Sequence, residues 1–584
     1  LINMDLQKNI PANFFTLAEQ KANRPVLKYK QDGVYFSLSY KELAQEVRRA
    51  ALALTMLGVK RRDRVAILSN GRPEWAMADL ATMALGAISV PIHTTLSAKG
   101  IGYILNHCRA KILFVSDEAL LNKVLLGQDG LVGPEKIIVM EKVSRETIDS
   151  CGGACLGWDE FITSGANAVD GLVLPAVKSD DIASIIYTSG TTGLPKGVAL
   201  SHGNFLSNVA AINDMVPVKK GDVFLSFLPL SHVLERTAGY YTPLLFGAAI
   251  AYGEGFKQLA QNLKEVRPTV MIAVPRVFEK FYDIIWDKVS SGSKIKKNIF
   301  HWALRQRSGS PGYKLGDLLV FKKIRAQLGG RLRLTVSGGA SLDPKIAKFF
   351  QKLGIIIVEG YGLTETAPVV AVNRAEAIKF GTVGYAVKGV EIKISGDKEI
   401  LVKGPSVFKD YFNDPEATKD AFTDDGWFKT GDLGFIGWDK RLVIIGRKKE
   451  MMLTSGGKNI WPEALEQKIN IDRFVAQSMT IAHRRKFVSA LIVPDWQEVG
   501  MFLKEKGLPL GVPSKLVNRP DILELFGERL EKINQNLADY ERIRKFVLLT
   551  DEFSQERDEL TPTLKLRRQV IEGHYQKEIE GMYE

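Results

Sequence analysis

Residues 187–197, Tyr-Thr-Ser-Gly-Thr-Thr-Gly-Leu-Pro-Lys-Gly, concentrate groups that bind anions. Thr188, Ser189, Thr191 and Thr192 offer hydroxyls and Lys196 a cation. Gly190, Gly193 and Gly197 let the backbone turn tightly with its N–H groups toward a ligand. Successive N–H groups in such a turn form an anion nest, so the chemistry indicated is polyphosphate binding. A Walker loop needs Gly-x4-Gly-Lys-Ser/Thr opening a helix; here Pro195 precedes the lysine and Gly197 follows it. The flanking apolar runs, 182–187 and 198–200, read as strands. A loop between two strands would act as a flap over phosphates, and a Gly/Thr-rich surface turn is the bland alternative.

Four further stretches carry candidate groups. His232 follows the strand-like run 222–227, and ligands gather at the C-terminal ends of strands in open α/β sheets; a satisfied core histidine is the competing reading. Gly338, Gly339 and Ala340 end one apolar run, and Gly360, Tyr361, Gly362, Thr364 and Glu365 end the next. Two glycine turns at strand ends allow close approach of a flat ligand, with Tyr361 as an aromatic platform. Glu365, between Thr364 and Thr366, is a hard-oxygen ligand suited to Mg²⁺. Asp432 lies in a glycine-flanked turn and could accept from both ribose hydroxyls. The charged run 447–450, with Lys449, reads as a solvated linker or a hinge. Lys565 sits in a Pro-punctuated loop before the final helix.

The elements around these residues alternate. Residues 1–175 show a βα rhythm: Ser39 and Glu42 form a capping box, a helix stops at Gly58, a second spans 75–85, and strands fall at 64–68, 87–91 and 111–115. This rhythm implies a doubly wound parallel sheet. The stretch 278–328 is basic and mostly helical. Strand patterns at 391–394, 399–402 and 441–446 make a β-rich region, and the last portion mixes helices with a small β pattern. The expected fold is α/β: a large N-terminal domain, 1–448, with doubly wound sheets and a β-rich subdomain at about 381–448, then a small mobile α+β domain, 449–584.

Composition narrows the class. A chain of 584 residues suggests roughly four domain-sized units. Cys108, Cys151 and Cys155 form no C-x-x-C pair, so a reducing, cytoplasmic compartment is expected, without structural zinc. No apolar run reaches the ~18 residues of a membrane span, the segment from Tyr240 to Tyr252 reads as buried core, and no signal peptide is recognised. Lys plus Arg number 79 against 66 Asp plus Glu, a net charge of +13 that attracts anions. Nucleic-acid motifs are absent. An acidic protein, or the inner face of a membrane with the protein peripheral to it, fits better.

In their order, these stretches resemble the adenylate-forming (AMP-binding) superfamily, and within it the long-chain fatty-acyl-CoA synthetase and acyl-ACP synthetase group. The resemblance covers nearly the whole chain. It implies a two-step reaction with ATP and Mg²⁺: a long-chain fatty acid becomes an acyl-adenylate, then a thioester of CoA. The alternative acceptor is the phosphopantetheine of holo acyl carrier protein, and a luciferase-like or non-catalytic acyl-AMP-binding protein is a third reading. The resemblance further implies that the loop 188–196 holds the β- and γ-phosphates, with Thr188 and Glu365 near Mg²⁺ and His232 near the acyl carboxylate. Gly338, Gly339, Ala340, Gly360 and Tyr361 border adenine. Asp432 and Arg447 bind ribose, Lys449 is the hinge, and Lys565 enters the site in the first step. Many relatives carry glycine where this chain has Leu564.

Overall fold

A computed structural model of the chain describes residues 9–127, 133–149, 151–166, 174–188, 194–561 and 565–584. The chain divides into two compact units. The first is Leu1–Lys393, Leu401–Thr430 and Ile436–Val443; the second is Ile394–Ile400, Gly431–Phe435 and Ile444–Glu584.

Two sheets organise the first unit. One has eight strands in the order Asp410–Tyr411, Lys196–Ser201, Ile182–Thr188, Ile88–Ile92, Arg64–Leu68, Ile112–Val115, Lys136–Val139 and Cys155–Gly157. From Ile182–Thr188 onward its pairs are parallel. Ile88–Ile92 and Ile112–Val115 are buried at every position, which is why they read as continuous apolar runs. Helices Pro73–Ala84 and Ala98–Cys108 supply the crossovers that parallel strands require. Helix Tyr40–Met56 begins with the expected reciprocal capping box of Ser39 and Glu42.

The other sheet has nine strands: Tyr385–Ala386, Val369–Val372, Ile356–Gly362, Leu334–Ser337, Val270–Ala273, Val223–Ser226, Ala249–Tyr252, Pro25–Gln31 and Val34–Ser39. Its centre is parallel, with Val336 beside Val358 and Ile272 beside Val336. The N-terminal hairpin joins this sheet through Leu27 and Ile250, not the sheet built from the strands that follow it in sequence.

The second unit is α+β. Strands Val475–Ile481, Val488–Pro494 and Ile543–Leu548 form one sheet. Separate apolar clusters include Ile492 and Phe526 on one side, Leu491 and Ile571 on the other, as alternation along a strand requires.

Cys151 and Cys155 are joined by a disulfide, their Cα atoms brought to 5.6 Å by an intervening turn, a separation that permits bridging. Cys108 is a buried free thiol. Among the described residues no helix is long and apolar enough to cross a membrane.

Candidate active site

The glycine-rich run closes a hairpin, as its flanks indicated. Ile182–Thr188 pairs antiparallel with Lys196–Ser201, Tyr187 facing Gly197 and Thr188 facing Lys196. Ser189, Gly190, Thr191, Thr192 and Gly193 lie outside the described residues. Gly197 is required by packing: a Cβ there would stand 2.8 Å from Ile185 Cγ2 and 3.2 Å from the Tyr187 ring.

Tyr411 ties this hairpin to a distant motif. Its short strand Asp410–Tyr411 adds to the hairpin edge, with Tyr411 beside Val198, and the Phe412 N–H donates to the Gly197 carbonyl at 2.7 Å. Lys196 Nζ stands 5.1 Å from the centre of the Tyr411 ring. The Tyr411 hydroxyl donates to Glu365 Oε1 at 2.8 Å, and burial together with Glu365 raises the phenol's pKa. Lys196 and Glu365, 169 positions apart, thus meet on one tyrosine, with Thr188 opposite Lys196 across the hairpin. Glu365 itself lies in the tight turn Thr364–Thr366, directly after strand Ile356–Gly362.

The two glycine-rich stretches also meet, though only the first is a turn. Ser337 and Glu359 are registered neighbours on parallel strands; Gly338–Gly339–Ala340 leaves the sheet there, while Gly360–Tyr361–Gly362 continues as strand and pairs antiparallel with Val369–Val372. A Cβ on Gly338 would come 3.0 Å from Leu234 Cδ2 and 3.9 Å from the Gly360 carbonyl. Gly339 has φ +86°, a left-handed conformation natural to glycine. A Cβ on Gly362 would lie 1.9 Å from the Pro368 carbonyl.

Leu234 belongs to the turn that carries His232, which therefore seats against the glycine-rich stretches. This turn enters a π-helix, Glu235–Tyr241, in which all seven residues are buried; π turns concentrate at functional positions. Within it Arg236 pairs with Asp79, both wholly buried. The guanidinium also donates to Tyr241 Oη at 2.9 Å, Ser184 Oγ at 2.7 Å and Ser89 Oγ at 3.1 Å. The pair pins the histidine turn to the helix Pro73–Ala84 and to strands of the eight-stranded sheet.

Three buried groups at this site were not singled out in the sequence. His93, one residue past strand Ile88–Ile92, has Nδ1 2.8 Å from Ser231 Oγ, and its ring centre lies 6.4 Å from that of His232. Burial, reinforced by His232, depresses its pKa to about 3, so it is neutral at ordinary pH. Glu359, next to Gly360, is pushed up to about 7 by burial; its Oε1 has no hydrogen-bond partner. Glu235 is pushed up to about 8 by burial, with the Ser226 hydroxyl pulling the other way. The available signal was position: His93 directly follows the C-terminal end of its strand, where ligands gather.

The remaining candidates lie in the second unit. Asp432 accepts an ion pair from Arg447 Nε at 3.2 Å. Lys565 is presented by a turn in which its N–H donates to Thr561 Oγ1 at 3.0 Å and its carbonyl accepts from the Thr561 N–H at 2.8 Å. Desolvation and Arg447 lower its pKa, while Glu463, Glu450 and Asp432 oppose them. Leu564 lies outside the described residues. Arg568 clamps the following helix with two hydrogen bonds of 2.7 Å to Glu466. Lys449 is exposed in the turn Lys448–Glu450. Neighbouring Lys448 is anchored to Asp397 at 2.6 Å and Glu399 at 3.0 Å.

The chain as a whole is similar to known proteins. A family model described as AMP-binding enzyme matches residues 14–412, and one described as AMP-binding enzyme C-terminal domain matches 449–584. The long-chain-fatty-acid–CoA ligase FadD15 of Mycobacterium bovis is 36% identical over 578 residues, covering 94% of this chain and 93% of that protein. Among solved structures, the anthranilate CoA ligase AuaEII in complex with anthranoyl-AMP superposes with a TM-score of 0.76 at 20% identity, covering 99% of each chain. ATP-bound MatB from Rhodopseudomonas palustris gives 0.72 at 24% identity, covering 98% of this chain and 99% of that one. At these identities the superpositions establish the fold: a large N-terminal and a small C-terminal domain.

Proposed function

The chain belongs to the AMP-binding enzyme family, and from that premise we propose that it joins a long-chain fatty acid to CoA at the expense of ATP. The observation that carries the reading is the meeting of Lys196 and Glu365 on Tyr411. Two separate motifs supply opposite charges at one place beside the phosphate hairpin, as a metal–polyphosphate site needs.

In the first half-reaction a fatty-acid carboxylate oxygen attacks the α-phosphorus of ATP. The new P–O bond forms as the bond to the bridging oxygen of pyrophosphate breaks, and pyrophosphate leaves with that electron pair. The nucleophile is already an anion and needs no base; the barrier lies in bringing two anions together and orienting them. Lys196 and the hairpin hold the β- and γ-phosphates. Lys565 supplies a second positive charge, for the carboxylate and the α-phosphate. His232 borders the acyl carboxylate, while neutral His93 keeps the Ser231–His232 turn in place without adding charge. Gly338, Gly339, Ala340, Gly360 and Tyr361 leave the flat gap that adenine needs, and Asp432 with Arg447 takes the ribose.

Thr188 and Glu365 fit Mg²⁺. Among the described residues no cluster of three or more acidic, histidine or cysteine side chains could hold a metal alone. Mg²⁺ commonly binds through one or two carboxylates together with substrate phosphates, and one carboxylate plus one hydroxyl is such a partial set. When bound, the ion neutralises phosphate charge. In the second half-reaction a thiolate sulfur attacks the acyl carbon and AMP departs. CoA as acceptor is supported by the full-length relative, named a CoA ligase. Residues 1–448 would form the adenylating domain and 449–584 the mobile one, with Lys449 as the hinge between the two half-reactions.

The test is pyrophosphate exchange into ATP. Exchange that depends on a long-chain acid and Mg²⁺, and is lost in Lys196→Ala, supports adenylation. Exchange without any acid, or none with acids of any length, would contradict it.

A further inference from the structure

The net charge of the chain is unevenly placed. Residues 288–328 contain ten Lys and Arg against a single acidic residue, Asp317, a net +9 out of the chain's +13. Asp317 is already paired with Arg325 at 2.5 Å. The segment folds as helices Lys294–Arg305 and Pro311–Gly316, the latter continuing through Asp317–Phe321 into Lys322–Gln327. Its inner side is anchored by Phe300, Ala303 and Phe321 in the core of the first unit.

Its outer side is not only charged. Ile295, Trp302, Leu315, Leu318 and Leu319 are between 38% and 72% exposed. Ile295 and Trp302 are seven residues apart, two turns along one helix, and so share a face. Leu315, Leu318 and Leu319 have the i, i+3, i+4 spacing of a single stripe. The two groups adjoin: a Cβ on Gly316 would meet Ala303 Cβ at 2.8 Å and Trp302 Cζ3 at 3.7 Å. Lys314, Lys322 and Lys323 are exposed beside the stripe. Exposed Ile, Leu and Trp framed by lysines form an amphipathic surface of the kind that rests in a lipid headgroup region.

We propose that this helical face docks the protein onto an anionic lipid bilayer. Charge selects against a second copy of the chain, because a two-fold contact would set a +9 face against its own image. An acidic protein would satisfy the lysines but leaves five large apolar side chains unexplained; a bilayer accommodates both. The surface is argued from charge and exposure alone and does not depend on the ligase reading.

Cosedimentation of the full chain with phosphatidylcholine vesicles, with and without roughly 30 mol % phosphatidylglycerol, tests this. The wild-type protein is expected to pellet with the anionic vesicles and to be released as salt rises and the screening length falls. K314Q/K322Q/K323Q should lower partitioning about 100-fold, at about fivefold per lysine near the surface. L318S/L319S should lower it at least about tenfold without altering the salt dependence. All five positions are exposed, so circular dichroism should be unchanged. Failure of the wild type to pellet with anionic vesicles, or partitioning of either variant at the wild-type level, would overturn the proposal. Retention on an acidic protein without vesicle binding would assign the face to a protein partner and overturn it equally.

Discussion

Asp79→Asn is expected to destabilise the first unit far more than its size suggests. The substitution keeps nearly the same shape but removes the carboxylate charge that pairs with Arg236 in a fully buried site. The guanidinium would keep its hydrogen bonds to Tyr241, Ser184 and Ser89 but lose the counter-ion that makes its burial tolerable. Breaking a buried pair on one side costs about 3–5 kcal/mol, roughly 10²- to 10⁴-fold in the folded-to-unfolded ratio. Arg236→Met should cost a similar amount by stranding Asp79. Replacing both, as Asp79→Leu with Arg236→Met, removes the charges together and should return stability to within about 2 kcal/mol of wild type, so the single effects would be grossly non-additive. Guanidinium chloride denaturation followed by circular dichroism reads each value. Because Arg236 anchors the turn bearing His232, with its N–H on the His232 carbonyl at 3.1 Å, adenylation by each single variant should fall as well. A loss below about 1 kcal/mol for Asp79→Asn, or a double variant as unstable as the worse single one, would refute this account of the pair.

Three further outcomes are expected. Lys565→Ala should slow adenylation by roughly 10²–10³-fold while sparing thioester formation from preformed acyl-AMP; single-turnover assays of each half-reaction decide, and equal damage to both removes Lys565 from its role. Tyr411→Phe keeps the ring beside Lys196 but strips the hydroxyl from Glu365, and pyrophosphate exchange should fall about tenfold, with apparent Mg²⁺ affinity weakened too. Glu235 is held protonated by burial, its folded value of about 8 lying above the ordinary 4.5. Its contribution to stability is therefore full below pH 4.5 and lost as pH rises through 8; Glu235→Gln should flatten the fall in melting temperature between pH 6 and about 9 that wild type shows.

Local chemistry made much of this legible. Short-range signals name their own elements: Ser39 and Glu42 cap a helix whose boundaries depend on neighbours in sequence, and the hairpin at 187–197 was readable from apolar runs on both sides of a glycine turn. Partnership across the chain was not legible. Asp410–Tyr411 looks like part of the β-rich region but completes the edge of the eight-stranded sheet, and that placement alone brings Lys196 to Glu365. Asp79 lies within a helix otherwise rich in apolar residues, and Arg236 within the π-helix Glu235–Tyr241, with nothing local to couple them across 157 positions. His93 gives no periodic signal; its importance comes from Ser231, 138 residues away. The Cys151–Cys155 spacing fits no metal or redox motif; the turn between the two residues is what brings their Cα atoms to 5.6 Å.

The most direct measurement is product analysis with radiolabelled palmitate, ATP and Mg²⁺, offering CoA and holo acyl carrier protein in parallel. The account predicts palmitoyl-CoA as the dominant product, with AMP and pyrophosphate formed in equal amounts. Acyl carrier thioester as the dominant product would contradict the choice of acceptor, and ADP in place of AMP would contradict the adenylation chemistry itself.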